Sequence, residues 1–328
     1  MFKIQLKNSK SFICSGDQTI FEAAKIAGLI LEHGCLSARC KSCLAKVVEG
    51  ETIEIGEDLV LSSSDKQEGY ILTCNTKPLS HLVLNIEDID NVDLSHPKTI
   101  PSKIDVLEFV NKDVVKLVLR TPLNSSIDFL SGQYVNIIMG SIKRSYSLAA
   151  ARRNDHKLEF FIKNYKGGVM SKYLFESAKI NDVLRLEGAL GTFFYRQKKS
   201  KNIVFLATGT GIAPVKSILD QFDDNPELVA NKNIWALWGA RYEEDLFWVP
   251  KYQNIKLHFI PVLSRINPNW EGAKGYVQNV LQEHEIDLSD TQVYACGSND
   301  MINSAFKLLA EKGLPEHQFY SDAFVSSN

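Results

Sequence analysis

The opening "FKIQLKNSKSFICS" alternates apolar and polar residues on either side of a polar turn, which predicts two short strands. The period then lengthens. "QTIFEAAKIAGL" sets Ile20, Ala23, Ala24 and Ala27 on one face of a helix, and "CLAKVVEGE" and "HLVLNIE" return to the strand period. A polar stretch with two prolines, "DLSHPKTIPSK", interrupts the periodicity and reads as a linker over 93–101. Beyond it "KIDVLEFV", "VVKLVLR", "QYVNIIMG", "RSYSLAA", "KLEFFIKNY" and "DVLRLEGAL" predict a six-stranded antiparallel β-barrel over 102–198. From 199 to 328, apolar runs such as "NIVFLAT" and "NIWALWGAR" alternate with helical stretches such as "NSAFKLLAEKG". That alternation predicts an α/β doubly wound parallel sheet, so the whole chain is expected to be multidomain α+β.

Composition sharpens this picture mainly by exclusion. With 45% apolar residues the 328-residue chain can build several cores, and a formal net charge of −2 without a block of like charges argues against nucleic acid or an anionic membrane as partner. The short basic run "RQKKSK" at 196–201 reads as a solvated turn. No apolar run approaches the roughly 18 residues of a membrane span, and the N-terminus lacks a signal peptide's apolar centre, so a soluble, cytoplasmic protein is expected.

Six cysteines occur, and three of them, Cys35, Cys40 and Cys43, crowd into "EHGCLSARCKSCLAKVVEG". In a reducing compartment clustered thiols favour metal over disulfides. A structural zinc site would want a second Cys-x-x-Cys pair or a spaced histidine pair, and the sequence supplies neither. The spacing Cys-x4-Cys-x2-Cys with a distant fourth residue, Cys74, instead fits a 2Fe-2S cluster: three thiolates on one tight loop, the fourth from another segment. Backbone N–H groups of such a loop would point at the sulfurs. Cys14, on an apolar strand, reads as a small core residue.

On these residues, 1–92 resembles a plant-type ferredoxin domain of β-grasp fold. The family commonly carries Arg after the first ligand and Gly three residues after it, whereas this chain has Leu36 and Ala38, so its loop backbone is expected to differ.

In the barrel, "KRSYSLAA" supplies the residue types a flavin needs: the Arg144 guanidinium for a phosphate, the Tyr146 face for the isoalloxazine ring, and the Ser147 hydroxyl for its N5 edge. Alone, such a run also describes an ordinary surface strand. The segment "KGGVMSKYLFES" adds Gly167, Gly168, Val169 and Ser171 at the start of a helix, an anion site or else a plain glycine turn. Together they resemble the FAD domain of the ferredoxin-NADP reductase superfamily, with Ala189 in "EGALGTFFY" where that family usually has Pro.

The turn "GTGIAP" brings Gly209, Thr210 and Gly211 before a helix and departs from the dinucleotide fingerprint G-x-G-x-x-G. In this context it resembles the superfamily's nicotinamide domain. "YACGS" then resembles the family's Cys-Gly-Pro element, which implies that Cys296 and Gly297 lie beside the nicotinamide, with Ser298 in place of Pro; a merely buried cysteine is the alternative. In the closing "FYSDAFVSSN" the resemblance implies that Phe324 covers the flavin, with Asp322 as its polar neighbour, against a reading of Phe324 as a packed tail residue. Arg241 and Arg265 both follow strands where they could meet the ribose; Arg241 is common in NADH-using relatives, and NADH is favoured over NADPH.

The domain order implies a reductase that passes electrons from NAD(P)H to FAD, then to 2Fe-2S, and on to a partner enzyme. A flavin bridges the two-electron donor and the one-electron cluster. The order resembles the reductase components of aromatic-ring and alkane oxygenases, and also the CDP-6-deoxy-delta-3,4-glucoseen reductases. The latter implies a pyridoxamine-phosphate-dependent (PMP-dependent) sugar dehydrase of 3,6-dideoxyhexose biosynthesis as acceptor, with an oxygenase as the alternative. A non-catalytic iron–sulfur redox sensor would need no nicotinamide domain.

Overall fold

A computed structural model describes residues 1–324 apart from Leu59, Ser95, Ile266 and Asn267. The chain forms two compact units, one of residues 1–94 together with 321–324, the other of the intervening residues. Among the described residues no helix is long and apolar enough to cross a membrane.

The first unit contains β1 (Phe2–Leu6), β2 (Ser11–Cys14), α1 (Ile20–Ile26), β3 (Leu44–Glu49), β4 (Thr52–Glu54), α2 (Ser63–Gln67), β5 (Tyr70–Leu72), β6 (Thr76–Pro78) and β7 (Leu82–Leu84). Its main sheet runs β2-β1-β7-β3-β5, with β1 and β7 parallel and the other pairs antiparallel, which is the β-grasp arrangement. Thr19 caps α1 through a reciprocal pair of bonds with Glu22, satisfying amides the first turn leaves free. The helix buries Ile20, Phe21, Ala23 and Ala24 and ends before Ala27, which is exposed: its apolar face is one position shorter than the periodicity predicts, and Phe21 takes part instead. Cys14 lies wholly inside this core, and burial pushes its thiol up to about 11.

In the second unit β8 (Lys98–Asn111), β9 (Val114–Arg120), β10 (Tyr134–Met139), β11 (Ile142–Ser147), β12 (Lys157–Lys163) and β13 (Val183–Leu190) form one antiparallel sheet, ordered β11-β10-β13-β8-β9-β12. Strand β8 begins inside the stretch read as linker, because Lys98–Pro101 pair with β13. The Ala149 N–H donates to the Glu159 carbonyl at 2.8 Å and ties the two edge strands into a barrel. Inward residues such as Leu117, Val135, Ile137, Phe160 and Leu186 fill its core. Between β12 and β13, α3 (Val169–Lys172) continues as a π-helical turn to Ser177.

Next come β14 (Asn202–Thr208), α4 (Ile212–Asp224), β15 (Asn233–Ala240), β16 (Leu257–Leu263), β17 (Ala273–Lys274), α5 (Val277–Leu281), β18 (Thr291–Gly297), α6 (Asn299–Glu311) and β19 (Phe319–Ala323). The parallel strands lie in the order β17-β16-β15-β14-β18, so β14 is central, and it is buried along nearly its whole length. Tyr320 stacks on Tyr294 of β18 with centroids 4.9 Å apart.

Barrel and parallel sheet share one unit because α4 is fastened to the barrel. Lys216 Nζ donates to the Ala149 carbonyl and Ser217 Oγ to the Ala150 carbonyl, both at 2.9 Å, and Ser217 is fully buried. Arg196 is the second fastening and corrects the reading of 196–201 as a wholly solvated turn. Its guanidinium is buried over Phe194 and donates to the Thr192 and Phe194 carbonyls, while its backbone N–H donates to Tyr294 Oη. A charged group is held inside because its donors are matched by carbonyls.

Candidate functional site

The cysteine loop spans the gap between α1 and β3. Cys40 and Cys43 are buried, and Cys35 and Cys74 are half-buried. The thiols fall into two pairs: the Cys35 N–H donates to Cys40 Sγ at 3.2 Å, and the Cys43 and Cys74 Sγ atoms are 3.2 Å apart. Among the described residues no three His, Cys, Asp or Glu side chains are set to hold one metal ion. Two thiol pairs are, however, what a two-iron centre requires, since each iron takes two sulfurs from protein.

Within each pair hydrogen bonding shifts the two thiols in opposite directions. Through hydrogen bonding to Cys40 the Cys35 thiol is held down to about 5, while Cys40 is pushed up; Cys74 is likewise lowered by Cys43, and Cys43 raised. Backbone amides add to this. The N–H groups of Ser37 and Arg39 donate to Cys35 Sγ at 3.4 Å, and that of Ala38 to Cys74. The geometry behind this convergence is a left-handed backbone at Leu36, Ala38 and Lys41, with φ of 52°, 56° and 57°. Alternating left-handed residues turn successive N–H groups to one side and make a concave anion site. Thus the loop takes a left-handed conformation at Ala38 without glycine, at a cost of roughly 1 kcal/mol or more per residue.

On β11, Arg144 and Tyr146 share one face and Ser147 the other. Tyr146 packs on the barrel core, and burial pushes its phenol up; its electrostatic neighbours are Arg144 and Tyr165. Ser147 is buried at the strand's end. The Tyr165 N–H donates to Ser171 Oγ at 3.0 Å, so Ser171 has a structural task that its position in the helix did not reveal: it folds the glycine turn back on itself. Gly167 there is left-handed at φ 80°, and the amides of Val169, Met170 and Ser171 open the helix without partners within it. Val169 is half exposed. These donors, a guanidinium and an aromatic face suit a flavin with its pyrophosphate.

At the C-terminal end of β14, Gly209, Thr210 and Gly211 form one 3-10 turn leading into α4. A Cβ on Gly211 would lie 2.2 Å from the Cys296 carbonyl oxygen, so the turn rests directly on the end of β18. Gly297 adopts φ 146° and approaches Thr208 just as closely. Cys296 is wholly buried. Arg241 and Arg265 are exposed at neighbouring strand ends, where the Arg265 N–H donates to the Arg241 carbonyl at 3.2 Å. Phe324, the last described residue, is half-buried and belongs with the first unit. Asp322 lies beside Gly34 of the cysteine loop, a neighbour the sequence did not indicate.

Comparison with known proteins finds three family models matched along the chain. Residues 4–79 match the 2Fe-2S iron-sulfur cluster binding domain, 101–195 the oxidoreductase FAD-binding domain, and 205–307 the oxidoreductase NAD-binding domain. The chain is 37% identical over 326 residues to the CDP-6-deoxy-L-threo-D-glycero-4-hexulose-3-dehydrase reductase of Yersinia pseudotuberculosis, covering 96% of each chain. It is 29% identical to a propane 2-monooxygenase reductase component of Gordonia sp., covering 94% of this chain and 93% of the other. Among solved structures, a ferredoxin reductase of carbazole 1,9a-dioxygenase (TM-score 0.68, 23% identity, 99% and 98% coverage) and an Amycolatopsis cytochrome P450 reductase (0.69, 21%, 99% of each) share the fold. The chain belongs to the family of NAD(P)H-dependent iron–sulfur flavoprotein reductases that includes the Yersinia dehydrase reductase.

Proposed function

We propose that this reductase delivers electrons from NADH to a PMP-dependent CDP-6-deoxy-hexulose 3-dehydrase. The observation that carries the acceptor is the 37% identity to the Yersinia reductase along all three parts, against 29% to the oxygenase reductase component. When bound, flavin supplies the exchange between a two-electron hydride and single electrons.

The chain's own residues then have distinct tasks. Gly209, Thr210, Gly211 and Gly297 receive the dinucleotide, and Arg241 faces its ribose. Cys296 packs beneath the nicotinamide. Arg144, with the amides after Gly167 and Gly168 from Val169 to Ser171, holds the FAD phosphates; Tyr146 supports the ring, and Ser147 donates to its N5 edge. Cys35, Cys40, Cys43 and Cys74 hold the cluster. The loop 35–43, where Leu36 presents a 44% exposed apolar side chain, is the docking surface for the acceptor.

Replacing Ser147 with Ala removes one donor at the reacting edge. Stopped-flow reduction of the flavin by NADH should slow about tenfold, the rate equivalent of one hydrogen bond, with the cluster's EPR spectrum unchanged. Unaltered hydride transfer would remove Ser147 from the mechanism. The acceptor is tested by reconstitution: NADH, this protein and a purified dehydrase with its CDP-sugar should turn over, and turnover only with an oxygenase would support the oxygenase reading instead. The ratio of kcat/KM for NADH to that for NADPH decides the donor.

A further inference from the structure

Around Gly34, at the entrance to the cysteine loop, three side-chain atoms converge. A Cβ there would meet Ser42 Oγ at 2.9 Å, Cys40 Sγ at 3.2 Å and Asp322 Oδ1 at 3.3 Å. The first two belong to the loop; the third comes from β19, nearly three hundred residues later in the chain. The same strand makes a second contact, since Ser42 Oγ donates to the Ser321 carbonyl at 2.9 Å. Ser42 sits between Cys40 and Cys43, so this bond grips the loop between two of its cysteines.

We propose that the chain's C-terminal strand is a brace for the cluster loop, with Asp322 as a positioning residue that keeps Gly34 and Cys40 in place so that Cys35 and Cys40 stay paired on one iron. This rests on the cluster reading of the four cysteines. Two features of the loop call for a brace. Three of its residues, Leu36, Ala38 and Lys41, hold left-handed backbone conformations that a free loop of non-glycine residues would leave. Moreover, Asp322 is a buried aspartate, and a carboxyl group withdrawn from water is costly to place unless its position serves the structure. Its side chain fills the space over Gly34, and the argument concerns that shape and not its charge. One consequence is that the cluster is held firmly only once the last strand has folded.

The test compares Asp322→Ala with Asp322→Asn in the full-length holoprotein. Iron and acid-labile sulfide are first assayed in the unsubstituted protein, and their absence there would defeat the cluster reading itself. With the cluster present, D322A should lose iron to a chelator about tenfold faster, the lower range for a residue that orients metal ligands, and broaden the reduced EPR signal. D322N, which keeps the shape, should behave within about twofold of the unsubstituted protein on both readouts, as expected where orientation and not charge matters. A D322A protein with unaltered iron loss and EPR signal overturns the proposal, as does D322N losing iron as fast as D322A. Should D322A fail to fold, Ser42→Ala removes only the hydroxyl that grips Ser321; accelerated iron loss supports the brace, and unchanged loss overturns it.

Discussion

Replacing Cys74 with Ala should strip the protein of its cluster while leaving its flavin chemistry standing. Iron and acid-labile sulfide are expected to fall from two apiece to near zero, the reduced EPR signal to vanish, and electron delivery through the cluster to drop by about a hundredfold or more. The reason lies in how Cys74 is presented. The Thr73 N–H donates to the Cys43 carbonyl at 3.0 Å and its hydroxyl does so at 3.3 Å, while the Phe21 N–H donates to the Thr73 carbonyl at 3.0 Å. Cys74 is therefore delivered to Cys43 by a backbone already fastened to the loop and to α1, and no other thiol can replace it. Cys14 and Cys296 are both buried in cores of their own. Cys14→Ala should cost about 1 kcal/mol of stability for the lost packing and leave iron content unchanged. Metal analysis and EPR on the two variants side by side separate a ligand from a core cysteine; equal iron in both would refute the pairing.

The cluster site was legible in the sequence because its determinants are local: spacing alone brings Cys35, Cys40 and Cys43 onto one loop. The strand periods were legible for a similar reason, since alternation reports which face is buried whatever the strand packs against. What escaped is what depends on distant partners. Nothing in "RQKKSK" distinguishes Arg196 from the lysines beside it; the carbonyls of Thr192 and Phe194 and the ring beneath, brought to it by the fold, help make its burial tolerable. Ser171 looked like a ligand for an anion, and its bond to the Tyr165 amide becomes visible only when the turn is folded. Asp322 lies against Gly34, a juxtaposition no periodicity encodes. Leu36 and Ala38 both take left-handed backbone, a conformation whose cost the chain accepts without glycine.

The second large effect concerns two glycines of one turn that should respond very differently to the same substitution. Gly209 has φ 54° and nothing within 4 Å of a Cβ, so Gly209→Ala costs only the left-handed conformation, roughly 1–2 kcal/mol. At Gly211 the added methyl would meet the Cys296 carbonyl oxygen at 2.2 Å, its carbon at 2.7 Å and the Gly297 nitrogen at 3.0 Å. All three are backbone atoms, and no rotamer change can clear them, so β14 and β18 would have to part. Thr208 resists that movement by accepting from the Ser298 N–H at 3.2 Å, and the Trp238 indole holds the turn from another side through the Gly209 carbonyl at 2.9 Å. Gly211→Ala should therefore cost about 3 kcal/mol or more, at the upper end for overpacking, and lower Tm by several degrees. In the folded fraction the displaced turn no longer fits a pyrophosphate, so KM for NADH should rise by about tenfold to a hundredfold. The EPR signal of the chemically reduced cluster, which does not involve this turn, should keep its shape. Thermal melts and NADH titrations of G209A and G211A measure the contrast, and a G211A protein as stable and as active as G209A would show that β14 and β18 do not pack as tightly as their glycines imply.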